Sequence, residues 1–181
     1  MTLPSTVFRV NIHLSNIDRS IYETLQTTAA QHPSETDERL VARLLALAIF
    51  YEPDLTFTKG LCASDEPDMW VTGPDGKAKL WVEVGLPESV RIIKASRHSG
   101  RVALLACGKA LINWDQQHLP KLGAIKNLTV ISVDQSFIAT LATQLERSVN
   151  WSITITEGTL YLTCRDATYE TAIQIKSRIP S

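Results

Sequence analysis

Two acidic side chains stand where acids are costly. Glu83 interrupts the apolar run Leu80-Trp81-Val82-Glu83-Val84-Gly85, and Asp68 follows Pro67 at the opening of the run Met69-Trp70-Val71. A carboxylate set into a Trp/Val strand loses its hydration and needs a neutralising partner. Two carboxylates about 4 Å apart repel by roughly 4 kcal/mol at an effective dielectric near 20. The pair therefore calls for a cation between its members, or for one acid to keep its proton. Hard oxygen ligands on rigid strands suit Mg²⁺ or Mn²⁺, which retain several waters and take only one or two direct carboxylates. Such an ion would lower the pKa of a bound water and stabilise charge on a phosphodiester. A glutamate on an exposed edge strand would need no such partner.

Further groups can join this pair only if helices bring them there. The clearest helix begins after His32-Pro33, with Ser34 as N-cap, Asp37 three residues on, and Glu35 and Glu38 where the helix dipole favours negative charge. Val41, Leu44, Leu45 and Ala48 form its apolar stripe, and Glu52-Pro53 stops it. Carried back one turn, the stripe reaches Glu38, while Arg39 and Arg43 are expected to point elsewhere. Glu38 is a candidate third acid, and equally a first-turn acid that serves only the dipole. The helix expected over 88–97 carries Lys94, which would orient a water or hold a phosphate as a point charge. Arg91 lies one turn before it and His98 one turn after, and a solvated basic face accounts for those two as well.

The remaining elements read as one α/β domain over residues 1–181. Phe8, Val10, Ile12 and Leu14 alternate with Val7, Arg9, Asn11 and His13, a period-two strand, with a turn at 15–18 and a return strand over 21–29. Short strands are expected at 55–57 and 69–71, and the turn Gly73-Pro74-Asp75-Gly76 joins the second to a strand over 79–84 in a hairpin. The apolar runs 102–106 and 128–133 suit a parallel sheet covered on both faces, with helices at 110–118 and 137–146. Period two returns at 151–156, 158–164 and 168–175, a C-terminal antiparallel meander.

The formal net charge of −1 gives no whole-molecule attraction to nucleic acid. Its distribution is uneven: residues 35–83 hold ten acids against five bases, and residues 84–126 hold two acids against seven bases. An acidic centre beside a basic flank matches a metal-dependent phosphodiester enzyme, and ordinary surface patterning produces the same contrast. Three distant cysteines, Cys62, Cys107 and Cys164, fit neither a disulfide framework nor a zinc spacing. With no basic leader at the N-terminus and no apolar run long enough to span a bilayer, a soluble cytoplasmic protein is expected. Gly108-Lys109 lacks the leading glycine and the following Ser/Thr of a phosphate-binding loop, and no G-x-S-x-G elbow occurs. Nothing in the spacing of His32, Ser34 and Cys62 assembles a nucleophilic site.

Taken together, His32-Pro33-Ser34-Glu35-Thr36 with Glu38-Arg39, Arg43-Leu44-Leu45-Ala46, Gly60-Leu61-Cys62 with Asp65-Glu66-Pro67, and Trp81 to Pro87 with Arg91-Ile92-Ile93-Lys94-Ala95 resemble the YaeQ family of bacterial proteins. The resemblance spans essentially the whole chain. It implies a variant of the PD-(D/E)XK nuclease-like fold, a mixed central sheet flanked by helices with an N-terminal hairpin and C-terminal antiparallel strands. On that template Asp68 is the proline-linked acid, Glu83 the second acid, and Glu38 the helix acid, with Glu35 its rival. The motif lysine, two residues after the second acid, is replaced by Gly85. Lys94, or alternatively Arg91 as a phosphate contact, would have to supply its charge. The resemblance implies a Mg²⁺- or Mn²⁺-dependent nuclease acting on nucleic acid, or an inactive domain of that fold that binds nucleic acid or a protein.

Overall fold

In a computed structural model that describes residues 3–58 and 65–177, the chain forms two sheets with helices between and outside them. Gly60-Leu61-Cys62 lies outside the described residues. The first half runs β1 (Thr6–Asn16), β2 (Ile21–Gln31), α1 (Asp37–Ile49), β3 (Thr56–Phe57), β4 (Met69–Thr72), β5 (Ala78–Gly85) and α2 (Ser89–His98). The second runs β6 (Arg101–Ala106), α3 (Leu111–Gln117), α4 (Leu119–Leu122), β7 (Leu128–Ser132), α5 (Gln135–Thr143), β8 (Ser148–Thr156), β9 (Thr159–Cys164), β10 (Ala167–Ala172) and β11 (Gln174–Ser177).

The expected hairpins and parallel strands form, within an α+β architecture. A six-stranded sheet has the order β11-β7-β6-β5-β4-β3, with β5, β6 and β7 parallel and antiparallel strands at both edges. A five-stranded sheet, β10-β9-β8-β1-β2, unites the N-terminal hairpin with the C-terminal strands. That union differs from an expectation of strands appended to one central sheet. It is made by parallel pairing of β1 with β8, in which Ile12 faces Trp151. The strand expected over 168–175 also divides: β10 stays in the meander, and β11 crosses to pair with β7.

Two hydrophobic cores follow from the side-chain alternation. Leu80, Val82 and Val84 of β5 pack with α1, α5 and the inner face of the five-stranded sheet. On the other side, Trp81 packs with Val102, Leu104, Leu128 and Val130 against Ile92 of α2, Trp114 and Leu122. All of Leu40–Ile49 is buried. A helix between two sheets has no solvent face, which explains why its apolar residues exceed a single stripe. The helix starts later than expected, capped by Thr36, whose side chain accepts a bond from the Arg39 N–H at 3.2 Å. Ser34 is engaged instead with His32 Nδ1, 2.7 Å from its hydroxyl.

Enclosing α1 buries Arg43 and leaves Arg39 half-buried, contrary to the expectation that Arg39 and Arg43 point elsewhere. Arg43 grips the buried Glu35 in two bonds, Nη2 to Oε1 at 2.6 Å and Nε to Oε2 at 2.9 Å. It also donates to the Ala30 carbonyl of β2 at 2.8 Å and lies 5.4 Å from the Phe57 ring centre. Arg39 Nη1 donates to Glu35 Oε2 at 2.7 Å, so one carboxylate organises both guanidinium groups. Removing one member of a buried ion network leaves the others uncompensated, at a cost of about 3–5 kcal/mol. Glu35→Ala is expected to lose roughly that much stability in urea denaturation, whereas Glu38→Ala, outside the network, is expected to lose well under half of it.

Candidate functional site

The candidate acids meet where β4 and β5 begin to pair. Met69 faces Val82, which places Asp68 one step beyond, beside Glu83. The Asp68 N–H donates to the Val82 carbonyl at 3.1 Å, and Asp68 Oδ2 accepts the Val84 N–H at 2.8 Å. Asp68 thus extends the β4–β5 pairing by one bond with its side chain. Its Oδ1 accepts from Arg39 Nη2 at 2.7 Å, which extends the Glu35 network across to β5. Burial alone would lower the Arg39 pKa, but the Asp68 and Glu35 carboxylates more than offset it and raise it overall.

Glu83 turns to the other face of β5, the face of Trp81. Its Oε1 accepts from Trp81 Nε1 at 2.9 Å and from Arg91 Nε at 2.7 Å. Arg91 also donates to the Glu66 carbonyl at 2.8 Å and stands 6.0 Å from the Trp81 ring centre. Glu83 Oε2 has no hydrogen-bond donor among the described residues. Burial raises the Glu83 pKa above the ordinary carboxylate value; Arg91 and Trp81 oppose that rise, and the Asp68 charge adds to it. The two acids are thus close enough to repel, yet their arginines arrive from opposite sides, Arg39 on α1 and Arg91 on α2.

The other candidates lie at unequal distances from this centre. Glu38 Oε2 accepts from Gln135 Nε2 at 3.2 Å, and Gln135 Oε1 accepts the Gly108 N–H at 3.2 Å. The charges of Arg39, Asp68 and Glu38 all act on Cys107, so Glu38 belongs to the Asp68 side. Burial pushes the Cys107 thiol up to about 11, leaving it protonated and inert at neutral pH. Lys94 is exposed on α2 and makes no ion pair or hydrogen bond among the described residues. Arg91, one turn earlier, makes the contact with Glu83. Gly85 has φ +117°, a conformation that L side chains rarely adopt. The position of the motif lysine is therefore closed by the backbone as well as by residue type.

Asp68 and Glu83 are the acids expected from sequence to hold an ion, and three of their four oxygens are in use. Among the described residues no three His, Cys, Asp or Glu side chains are grouped so as to hold a metal. An Mg²⁺ or Mn²⁺ ion would find Glu83 Oε2 open and would require Arg39 or Arg91 to release its carboxylate. Glu35, Arg39, Trp81 and Gln135 complete the site and were not assigned these contacts from sequence. The available signal was Arg43 within an apolar helix, since a buried arginine requires a buried acid.

The raised Glu83 pKa has a definite sign in stability. The folded protein holds this proton to higher pH than the unfolded chain, so folding is favoured at low pH and loses that contribution as pH rises through the folded pKa. Glu83→Gln keeps an oxygen acceptor for Trp81 and Arg91 without the buried charge. Its melting temperature relative to the parent is expected to rise progressively as pH increases above the ordinary carboxylate range. A difference that stays constant as pH increases would show that Glu83 is not destabilised as an ion.

Comparison with known proteins places this geometry in a family. The YaeQ protein family pattern matches residues 1–173. The YaeQ protein of Salmonella typhi is 36% identical over 176 residues, covering 97% of this chain and 96% of that protein. That of Escherichia coli strain K12 is 35% identical over 163 residues, covering 90% of each. The crystal structure of YaeQ from Xanthomonas axonopodis pv. citri superposes with a TM-score of 0.92 at 32% identity, covering 96% of this chain and 99% of that one. The Pseudomonas syringae YaeQ structure gives 0.89 at 36% identity, covering 94% and 95%. No helix among the described residues is long and apolar enough to cross a membrane. The chain belongs to the YaeQ family.

Proposed function

We propose that the chain is a phosphodiester-binding domain on a PD-(D/E)XK nuclease-like scaffold, in which arginines neutralise the carboxylates that a nuclease would give to a metal ion. One observation carries this reading: Asp68 Oδ1 and Glu83 Oε1 each lie 2.7 Å from a guanidinium nitrogen. A charge-assisted hydrogen bond of this kind contributes about 1.5–3 kcal/mol, which an incoming ion must replace. Attraction to phosphate comes from α2, whose residues 89–98 include Arg91, Lys94, Arg97 and His98 and no acid. Gly85 leaves the second acid without its motif lysine.

A second reading, metal-dependent phosphodiester hydrolysis, is favoured by the mutual influence of Asp68 and Glu83 and by the open Glu83 Oε2. In that reading Asp68 and Glu83 hold Mg²⁺ or Mn²⁺, Glu38 is the third acid, and Lys94 supplies a charge to phosphate.

Labelled single-stranded and duplex DNA and RNA, incubated with the protein in EDTA and in Mn²⁺, separate the two. The binding reading expects a retained complex in EDTA and intact oligonucleotide in Mn²⁺. Cleavage that Glu83→Gln abolishes would establish the second reading, and failure to bind any oligonucleotide in EDTA would end the first.

A further inference from the structure

A second cationic surface lies at the far end of β5 from Glu83. An open groove of about 810 Å³ is lined by Lys77, Lys79, Arg97, His98, Ser99 and Asp75, among others. Lys79 is the extra residue of a β-bulge at the start of β5, where Leu80 faces Val71 and Ala78 faces Thr72, and it lines the groove two residues before Trp81. Arg97 and His98 close α2, whose first turn carries Arg91 on Glu83. Ten helical residues extend about 15 Å. Arg91, Lys94 and Arg97, three residues apart, mark out a basic row along that length, from the acids to the groove.

The basic side chains of the groove have no counter-ions of their own among the described residues. Among the described residues Lys77, Lys79, Arg97 and His98 make no ion pair. Asp75 is committed to the turn, where its Oδ1 accepts the Lys77 N–H at 3.0 Å. Ser99 has a buried hydroxyl without a hydrogen-bond partner. Close packing fixes this wall: a Cβ on Gly100 would lie 2.8 Å from the Lys79 carbonyl oxygen. Complementing the dipole at the end of α2 accounts for Arg97 and His98 alone. It does not account for two lysines brought against them by the β4–β5 turn.

We propose that this groove and the basic row of α2 form the track on which a nucleic-acid backbone lies, leading its phosphates from the β4–β5 turn toward Asp68 and Glu83. The inference rests on the phosphodiester-binding reading and adds where the strand sits. A small anion would need donors converging on one point. Cations spread through an open groove and along a helix suit a chain of repeated phosphates, each neutralised by a side chain that releases condensed counter-ions.

The test is fluorescence anisotropy of labelled single-stranded and duplex DNA and RNA with the protein, in EDTA, over a salt series. The Lys77→Glu, Lys79→Glu double variant is expected to bind at least about tenfold more weakly, with a log–log salt slope shallower by about 1.5 for two lost phosphate contacts. Arg9→Glu, an exposed change on β1 in the other sheet, is expected to leave both quantities unchanged. A double variant that binds with the parent's affinity and slope would overturn the track while leaving the phosphodiester-binding reading standing. Full competition by inorganic phosphate would also overturn it, by showing a single-anion site. A parent protein that binds none of these DNA and RNA probes would overturn both the track and the reading beneath it.

Discussion

The buried Glu35 carboxylate, held by Arg39 and Arg43, is the constraint from which the candidate site follows. Arg43 anchors it to the Ala30 carbonyl in the five-stranded sheet, and Arg39 carries the connection to Asp68 at the start of β4 in the six-stranded one. The Asp68 bond to the Val84 N–H then fixes the backbone one residue beyond Glu83. Two acids and two arginines cancel in this chain of contacts, and Glu83 with Arg91 forms a second balanced pair. A divalent cation would enter a site whose carboxylates are already matched one for one. Placing it beside an undisplaced guanidinium is opposed by like-charge repulsion in a region of reduced dielectric.

The two balanced sets differ in how readily they yield. Glu35 and Arg43 side chains retain only 2% and 4% of their exposure, so separating them strands charge in the interior. Arg91 keeps 35% and can exchange its carboxylate for water or phosphate far more easily. Buried ion networks of this kind contribute less to net stability than their distances suggest, because desolvation offsets most of the attraction. Their effect here is geometric: Arg39 brings the same face of α1 to Glu35 and Asp68 together, which sets α1 between the sheets.

Local pattern carried much of this arrangement. The apolar run around Glu83 implied that its carboxylate is buried, and the turn at 73–76 implied the hairpin that brings Asp68 beside Glu83. Side chains whose partners are distant in sequence were not legible. Arg39 and Arg43 read as outward because a stripe on one helix face assumes that arginine seeks water, whereas a helix enclosed by two sheets has no water to offer. The pairing of β1 with β8 and the departure of β11 to β7 depend on contacts more than forty residues apart, which period two cannot specify. Ser34 and Thr36 are both good N-caps, and the contact of Ser34 with His32 leaves Thr36 to cap the helix. Lys94 was read as the substitute for the motif lysine, but its exposure and the reach of Arg91 give Arg91 the carboxylate.

Calorimetric titration with Mn²⁺ at neutral pH tests arginine neutralisation most directly. Charge balance predicts no uptake at the Asp68–Glu83 pair in the parent protein, with uptake emerging in Arg91→Ala, where Glu83 loses its counter-ion. Mn²⁺ binding by the parent that both Asp68→Asn and Glu83→Gln abolish would contradict it, and would show that the arginines give way to a metal ion.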